Sequence, residues 1–262
     1  MCDWEEFDLS TIRRALTGTR FGRHLQHFAS VGSTNTLLFA AGAEGAPEGT
    51  VYVADEQTAG RGRGGHEWHS AAGDGLYVSA LIRLQLPLQQ ALLVSLAAGL
   101  AAQQAIREVT ALNADIRWPN DILIGSRKCG GILVESAVEG ETMRYAVIGI
   151  GININHVALP ADIAGIATSL RIEAGHTISR MRVLIDLLRA LDLELTRLEE
   201  GRNDLLDRFA AASTWVRGKR VRVSEAGGYT GVTDGIDPHG FLQVTDDDGV
   251  RHKVLSGGVR EA

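Results

Sequence analysis

Thr142-Met143-Arg144-Tyr145-Ala146-Val147-Ile148-Gly149-Ile150-Gly151-Ile152-Asn153-Ile154-Asn155 alternates with period two, the spacing of a β-strand. Ile148, Ile150, Ile152 and Ile154 fall on one face, and Gly149, Gly151, Asn153 and Asn155 on the other. The isoleucine face is a core wall, while the opposite face is nearly bare backbone. Glycine weakens a strand by leaving nothing to pack, so this face marks a close approach, either by a ligand or by a bulky side chain of a neighbouring element. Gly130-Gly131 repeats the arrangement after Lys128 and before the strand-like Ile132-Leu133-Val134-Glu135. Two glycine-floored strands predict one shared pocket.

Upstream, the strand-like Val51–Gln57 leads into Gly60-Arg61-Gly62-Arg63-Gly64-Gly65-His66-Glu67-Trp68, and a second apolar run covers Leu76–Leu84. The glycines allow the loop to move and a ligand to come close to the main chain, and Arg61 and Arg63 supply permanently charged planar forks for phosphate or carboxylate. Each such charge-assisted bond contributes roughly 1.5 to 3 kcal/mol net. The alternatives are an RGG-like nucleic-acid tail or a solvated turn, but RGG segments sit in low-complexity regions and this segment lies between two strands.

Arg117-Trp118-Pro119-Asn120-Asp121 is the third constellation. Proline fixes the bend and keeps Trp118 out of the helical region, although Pro-Asn-Asp also suits an ordinary turn. Asp121 near Arg117 and Lys128 makes a carboxylate among cations, suited to holding magnesium against phosphate oxygens. Lys128 alone could be a solvated strand residue. Cys129 is expected to be a small buried apolar residue.

Composition narrows the class. The chain has 262 residues, 45% hydrophobic and 22% charged, enough for one substantial core and a small second domain. A net charge of -6 and a pI near 5.8 argue against broad nucleic-acid binding, because no excess of cations is present to neutralise phosphates. Two cysteines, Cys2 and Cys129, form no disulfide framework, which points to a reducing compartment. The acidic opening is unlike a signal peptide, and the longest apolar run, Ala91–Ala102, is shorter than the ~20 residues of a membrane span. A cytoplasmic location is expected.

A short helix is expected to start near Ser10, and Ser33 to cap a helix through Thr36–Ala41. Pro87 opens a long helix with Leu88, Leu92, Leu96 and Leu100 on one face. Strands are expected around Ile116, Ile122, Ile132 and Ile148, and a further helix carries Leu184, Leu187, Leu188, Leu191, Leu195 and Leu198 before Gly201. From about Trp215 the pattern becomes short and alternating: Arg220–Val223, Tyr229–Ile236, Phe241–Val244 and Arg251–Leu255. The organisation expected is a main domain over 1–213 and a small β-barrel or sandwich over 214–262. The latter is too short for an independent core and should pack on the former.

Taken together these blocks resemble the biotin protein ligases. Ser33-Thr34-Asn35, Glu56-Gln57-Thr58-Ala59-Gly60-Arg61-Gly62-Arg63 with Trp68, Arg117–Asp121, Lys128 followed by Gly131–Glu135, and Gly149–Asn153 match that family's signature blocks in order, and the resemblance covers essentially the whole chain. It implies an α/β (α+β) catalytic domain with a mixed sheet, related to class II aminoacyl-tRNA synthetases, followed by an SH3-like β-barrel. It implies the monofunctional form, since no winged-helix DNA-binding domain has a counterpart here.

The implied activity is that of a biotin–[biotin carboxyl carrier protein] ligase. Biotin and ATP form biotinyl-5'-adenylate and pyrophosphate, and a lysine of the carrier protein then takes the biotinyl group and releases AMP. By the family pattern, Ser33, Thr34, Asn35, Gln57, Gly60, Arg61, Gly62, Arg63, Lys128, Gly131 and Gly149 would line the biotin site. Arg63, Trp68, Arg117, Asn120, Asp121, Lys128 and Asn153 would serve ATP. Lys128, Arg63, Asp121 and Arg117 would carry the chemistry, and Asp121 would hold the magnesium that accompanies ATP. No tightly bound prosthetic group, DNA or membrane is implied, and an exposed edge strand leaves a homodimer open.

Two positions depart from the pattern. His66 stands where the family usually has arginine, which could weaken retention of the intermediate or make it pH dependent, since histidine ordinarily titrates near pH ~6.5. Arg117 stands where lysine is commoner, which preserves charge but alters geometry. A lipoate or octanoate ligase shares the fold, but the chain has no Arg-Arg-x-x-Gly-Gly-Gly block. A non-catalytic biotin-binding protein would be expected to lack Asn120, Asp121 and Lys128. An interaction module built on the terminal β-rich segment would say nothing about chemistry.

Overall fold

The computed structural model describes residues 5–84, 87–201, 204–225, 227–255 and 258–262, so Cys2 lies outside it. A seven-stranded sheet forms the centre. Its strands are β1 (Leu25–Val31), β2 (Val51–Gln57), β3 (Gly75–Ile82), β4 (Ala114–Arg117), β5 (Asp121–Ile124), β6 (Arg127–Glu139) and β7 (Thr142–Asn153). Their spatial order is β1-β2-β3-β7-β6-β5-β4. Only β1 and β2 run parallel; the other neighbours are antiparallel, so the sheet is mixed.

The helices are α1 (Leu9–Ala15), α2 (Thr34–Ala43), α3 (Ala91–Thr110), α4 (Leu170–Ala174), α5 (Arg180–Glu199) and α6 (Leu205–Ala212). Ser33 caps α2 as its sequence suggests, accepting from the Thr36 N–H. The faces of β7 then divide the molecule. Ile148, Ile150 and Ile152 join the main core with α3 and the Leu184, Leu187 and Leu191 stripe of α5. Each such fully buried leucine contributes roughly 1.5 to 3 kcal/mol. On the opposite face, Tyr145 and Val147 pack with Leu81, Tyr52 and Leu38 of α2 in a second cluster. Gly42 lets α2 lie close to the sheet, since a Cβ there would fall 2.6 Å from both Leu81 and Tyr145. At the first turn of α2, against Asn35, the same face of β7 carries Gly149 and then Gly151, and there the site opens.

Some expectations shift. The helix expected at Pro87 begins at Ala91, after a 3-10 turn over Leu88–Gln90, so Leu88 is exposed rather than part of the buried face. The strand expected over Leu76–Leu84 spans Gly75–Ile82. β1, α4 and α6 were not anticipated, and neither was the short strand β12 described next.

The C-terminal strands β8 (Arg217–Val223), β9 (Tyr229–Ile236), β10 (Leu242–Asp246), β11 (Arg251–Val254) and β12 (Val259–Glu261) form an antiparallel sheet. Its order is β11-β10-β9-β8-β12, and among the described residues the pairing is open, with no closure into a barrel. This sheet packs on the main body. Trp118, buried at 1% exposure, donates its indole N–H to the Gly240 carbonyl at 2.8 Å. Gly240 sits at φ +88, and a Cβ there would crowd Leu96 and Leu93 of α3 at 3.0 and 3.1 Å.

One buried ion network ties the sheet's edge to α5. Arg180, fully buried, donates to Asp55 Oδ1 at 2.6 Å and to the Glu5 carbonyl at 2.9 Å, and its guanidinium carbon lies 4.6 Å from the Phe7 ring centre. Asp55 Oδ2 also meets His27 Nε2 at 2.8 Å. Removing one member leaves a buried charge without its partner, which costs about 3 to 5 kcal/mol. Arg180→Met is therefore expected to lower the urea unfolding midpoint by that equivalent; an unchanged midpoint would show that Asp55 is compensated from elsewhere.

Candidate active site

β6 and β7 form the floor. Gly131 pairs with Gly151, and Leu133 with Gly149, so the bare positions of the two strands lie side by side. What covers them is side chain. A Cβ on Gly151 would lie 2.4 Å from Trp68 Nε1, one on Gly131 3.1 Å from Trp68 Cζ3, and one on Gly149 2.5 Å from Asn35 Oδ1. The glycines thus admit an indole from the glycine–arginine loop and an amide from α2. Above them remains a cleft of about 460 Å³, counting its open mouth. Trp68 Nε1 is buried with no hydrogen-bond partner among the described residues, a donor of the kind that folded proteins ordinarily satisfy.

One end of the cleft is neutral and polar. Ser33, Thr34 and Asn35 sit at the start of α2 because Ser33 caps it. Gln57 Oε1 accepts from both the N–H and the hydroxyl of Thr34, at 2.9 and 3.0 Å. Gln57 Nε2 donates to Ser70 Oγ at 3.0 Å. Thr34 Oγ1 and Ser79 Oγ lie 2.9 Å apart, and Ser79 Oγ donates to Asn35 Oδ1 at 3.1 Å. This fixed set of amides and hydroxyls can recognise an uncharged polar group. Ser79 and Tyr77, which also line the cleft, escaped the sequence reading. The available signal was the small hydroxyl of Ser79 within the largely apolar Leu76–Ile82.

The glycine–arginine loop folds back on itself. Trp68 N–H donates to the Gly60 carbonyl at 3.0 Å, and Gly62 N–H to the His66 carbonyl at 2.7 Å. Gly64 and Gly65 take φ +70 and +81 at the turn, a region glycine occupies freely. Arg61 reaches the cleft wall, pairing with Glu135 Oε1 at 2.7 Å and donating to Thr36 Oγ1 at 3.1 Å. Glu135 also accepts from Asn35 Nδ2 at 2.6 Å. No role for Glu135 was evident from sequence. Arg63 and Gly62 line the cleft, whereas Gly60 lies outside the lining, against the Trp68 main chain and Ser70. Burial lowers the Arg63 pKa, against the charges of Asp121 and Glu225, but a guanidinium remains protonated in proteins. His66 is exposed and enters the loop through its carbonyl.

The other end is ionic. Lys128 Nζ sits 2.5 Å from Asp121 Oδ1, while Arg117 places Nη2 at 2.6 Å and Nε at 3.1 Å from Asp121 Oδ2. Burial opposes ionisation of Asp121, yet the charges of Lys128 and Arg117 outweigh it and hold the carboxyl below its ordinary range. Lys128 Nζ also lies 5.3 Å from the Trp68 ring centre. Lys128 and Asn120 line the cleft, and Asn120 Nδ2 is anchored on the Ile132 carbonyl at 3.0 Å. Arg117 and Asp121 stand behind Lys128, outside the lining. Asn153 is placed elsewhere. Its amide donates to the Thr168 carbonyl at 3.0 Å, and Thr168 N–H in turn holds the Lys128 carbonyl.

Both Asp121 oxygens face cations, and among the described residues no group of three His, Cys, Asp or Glu side chains could hold a metal. The donor set does not fit a resident magnesium ion, which would have to displace Lys128.

The chain belongs to the biotin/lipoate A/B protein ligase family, whose family model matches residues 4–153. A second family model, the biotin protein ligase C-terminal domain, matches residues 217–259. The bifunctional ligase/repressor BirA of Bacillus subtilis is 35% identical over 254 residues, covering 95% of this chain and 78% of that protein. The biotin–[acetyl-CoA-carboxylase] ligase of Mycobacterium tuberculosis is 34% identical over 259 residues, 96% of this chain and 94% of that protein. Among solved structures, the biotin protein ligase from Aquifex aeolicus in complex with biotin and ATP matches with TM-score 0.78 and 28% identity, over 92% of this chain and 100% of that one.

The ion pairs set an expected pH response. Because the folded pKa of Asp121 is depressed, its stabilising charge is present above the ordinary carboxylate pKa of ~3.9 and is lost only as pH falls through the lower folded value. The difference in urea midpoint between the parent and Asp121→Asn should therefore stay constant from about pH 8 to pH 5 and shrink in stronger acid. A difference that shrinks near neutrality would contradict the assignment.

Proposed function

We propose that the chain is an ATP-dependent ligase that joins biotin to a lysine of a biotin carboxyl carrier protein through biotinyl-5'-adenylate. The observation that carries this reading is the juxtaposition, over one glycine floor, of a neutral polar end and a cationic end, in a chain of the biotin/lipoate A/B protein ligase family. In the first step a carboxylate oxygen of biotin attacks the α-phosphorus of ATP, the bond to the β-phosphate bridging oxygen breaks, and pyrophosphate leaves. In the second, the neutral carrier amine attacks the acyl carbon, the bond to AMP breaks, and the nitrogen gives up its extra proton.

Two anions must meet in the first step. Unit charges 4 Å apart repel by about 4 kcal/mol at an effective dielectric of 20, so neutralising and orienting them should dominate the rate. Lys128 suits this task. Its ammonium carries three donors, and one held by Asp121 leaves two for the reacting carboxylate and phosphate. Arg63 supplies a second charge from the loop, and Asn120 a fixed amide for the nucleotide. Ser33, Thr34, Asn35 and Gln57 offer neutral donors and acceptors for the uncharged ring end of biotin, with main-chain groups near Gly131 and Gly149 beside them. Arg61 exchanges Glu135 for ligand, and closure of Gly60–Trp68 shields the anhydride from water. Trp68, whose ring centre lies 5.3 Å from Lys128 Nζ, would serve the nucleotide.

Magnesium enters this reading with ATP, ligated by phosphate oxygens and water as is usual for that ion. Residues 1–213 supply the groups that would touch the ligands in both steps, with 214–262 packed against them. A cytoplasmic setting fits a chain whose described helices include none long and apolar enough to cross a membrane, and whose one described cysteine, Cys129, is free and buried. DNA plays no part.

Pyrophosphate exchange measured with biotin, lipoate and octanoate in parallel tests the reading. Exchange dependent on biotin is expected, and Lys128→Ala or Arg63→Ala should lower it about 100-fold or more without loss of fold. Exchange with lipoate or octanoate alone would reassign the substrate, and exchange with none of the three would leave a binding protein.

A further inference from the structure

The segment that joins the two sheets is sewn to the strand that ends at Arg117. Ser213 Oγ donates to the Ile116 carbonyl at 2.5 Å and accepts from the Trp215 N–H at 3.2 Å. Thr214 donates its N–H and hydroxyl to the two carboxylate oxygens of Asp115, at 3.0 and 2.5 Å. The Gln103 amide bridges the Ala114 and Ala212 carbonyls at 2.7 and 2.9 Å. Trp215, 5% exposed, is thereby fixed both in backbone and in packing.

Arg117 lies against it, its guanidinium carbon 5.4 Å from the Trp215 ring centre. Lys219, which is paired with Glu261 at 2.7 Å, reaches within 5.0 Å of the same ring. A guanidinium is planar and weakly hydrated, so it can stack on an aromatic face while its fork grips a carboxylate; an ammonium has no plane to stack. Here the fork closes on Asp121 Oδ2 alone and leaves Oδ1 to Lys128. The contacts therefore run in series from the small sheet to the cleft: Trp215, Arg117, Asp121, Lys128. Trp215 does not line the cleft, so any influence on the reaction must pass along that series.

We infer that Trp215 is a positioning residue for adenylate formation, holding Arg117 on one oxygen of Asp121 so that the other oxygen keeps Lys128 at the cleft. The inference rests on the proposed ligase reading. It assigns the small sheet and its junction a part in the first chemical step, through the ion pairs rather than through contact with substrate.

A double-mutant cycle tests it, with biotin-dependent pyrophosphate exchange and biotin affinity read on the same samples. Trp215→Leu should lower the exchange rate at saturating substrate by roughly tenfold, the order expected when a reacting group is slightly misplaced, while biotin affinity stays unchanged. Trp215→Phe, which keeps an aromatic face, should fall between. In an Arg117→Ala background, whose residual rate is followed at high enzyme concentration, neither substitution should lower the rate further. The same fold-loss in both backgrounds would show that Trp215 acts by packing alone and would overturn the inference, as would a loss of biotin affinity equal to the loss of rate. If the leucine variant fails to fold, the phenylalanine variant decides by the same comparison. An active parent with unaffected Trp215 variants sinks this inference only; an inactive parent sinks the ligase reading and this inference with it.

Discussion

One carboxylate shared between two cations organises the ionic half of this molecule. Asp121 gives one oxygen to Arg117 and the other to Lys128, and both pairs are half-buried, where water screens them little. A lysine alone at the end of a flexible stem would sample many rotamers; tied to a fixed carboxylate, its charge occupies one place. Everything around the carboxylate serves that placement. The bend at Trp118–Asn120 is held by Gly240 from the small sheet, β5 carries Asp121 into register with Gly131, and the main chain at Lys128 is bracketed by Ile166 and Thr168.

The floor works by subtraction. β6 and β7 are central strands, where glycine would ordinarily be a weakness, yet their opposite faces hold Ile132, Ile148, Ile150 and Ile152 in the core. That burial offsets the missing contacts on the site face, and the space gained is taken up by Trp68 and Asn35. Rigid sheet, movable loop and fixed charge are thus assigned to different segments of the chain.

Much of this was legible in sequence because it is local. The alternation of Thr142–Asn155 fixes which residues face the core, and glycine–arginine spacing announces an anion-binding loop. What escaped depends on distant partners. β1 hides because Leu25 is its one buried side chain, and α6 because only Leu205 and Phe209 are buried within it. Glu135 acquires its role from Arg61, 74 positions away, and Ser79 from Thr34 and Asn35. Asn153 shows the converse: its motif is local and plain, but a hydrogen bond to Thr168 takes its amide out of the cleft. The open order of the C-terminal sheet also lay beyond alternation alone, since pairing of first and last strands is a matter of curvature rather than pattern.

A diffraction structure of the chain with biotin and a non-hydrolysable ATP analogue would show whether the shared carboxylate holds Lys128 on the reacting groups. The biotin carboxylate and the α-phosphate should both lie in the cleft beside Trp68 and above the glycine floor, with Lys128 Nζ hydrogen-bonded at once to Asp121 Oδ1 and to the ligands. A ligand pair seated outside that cleft, or a Lys128 ammonium turned to solvent while both ligands are bound, would rule this arrangement out.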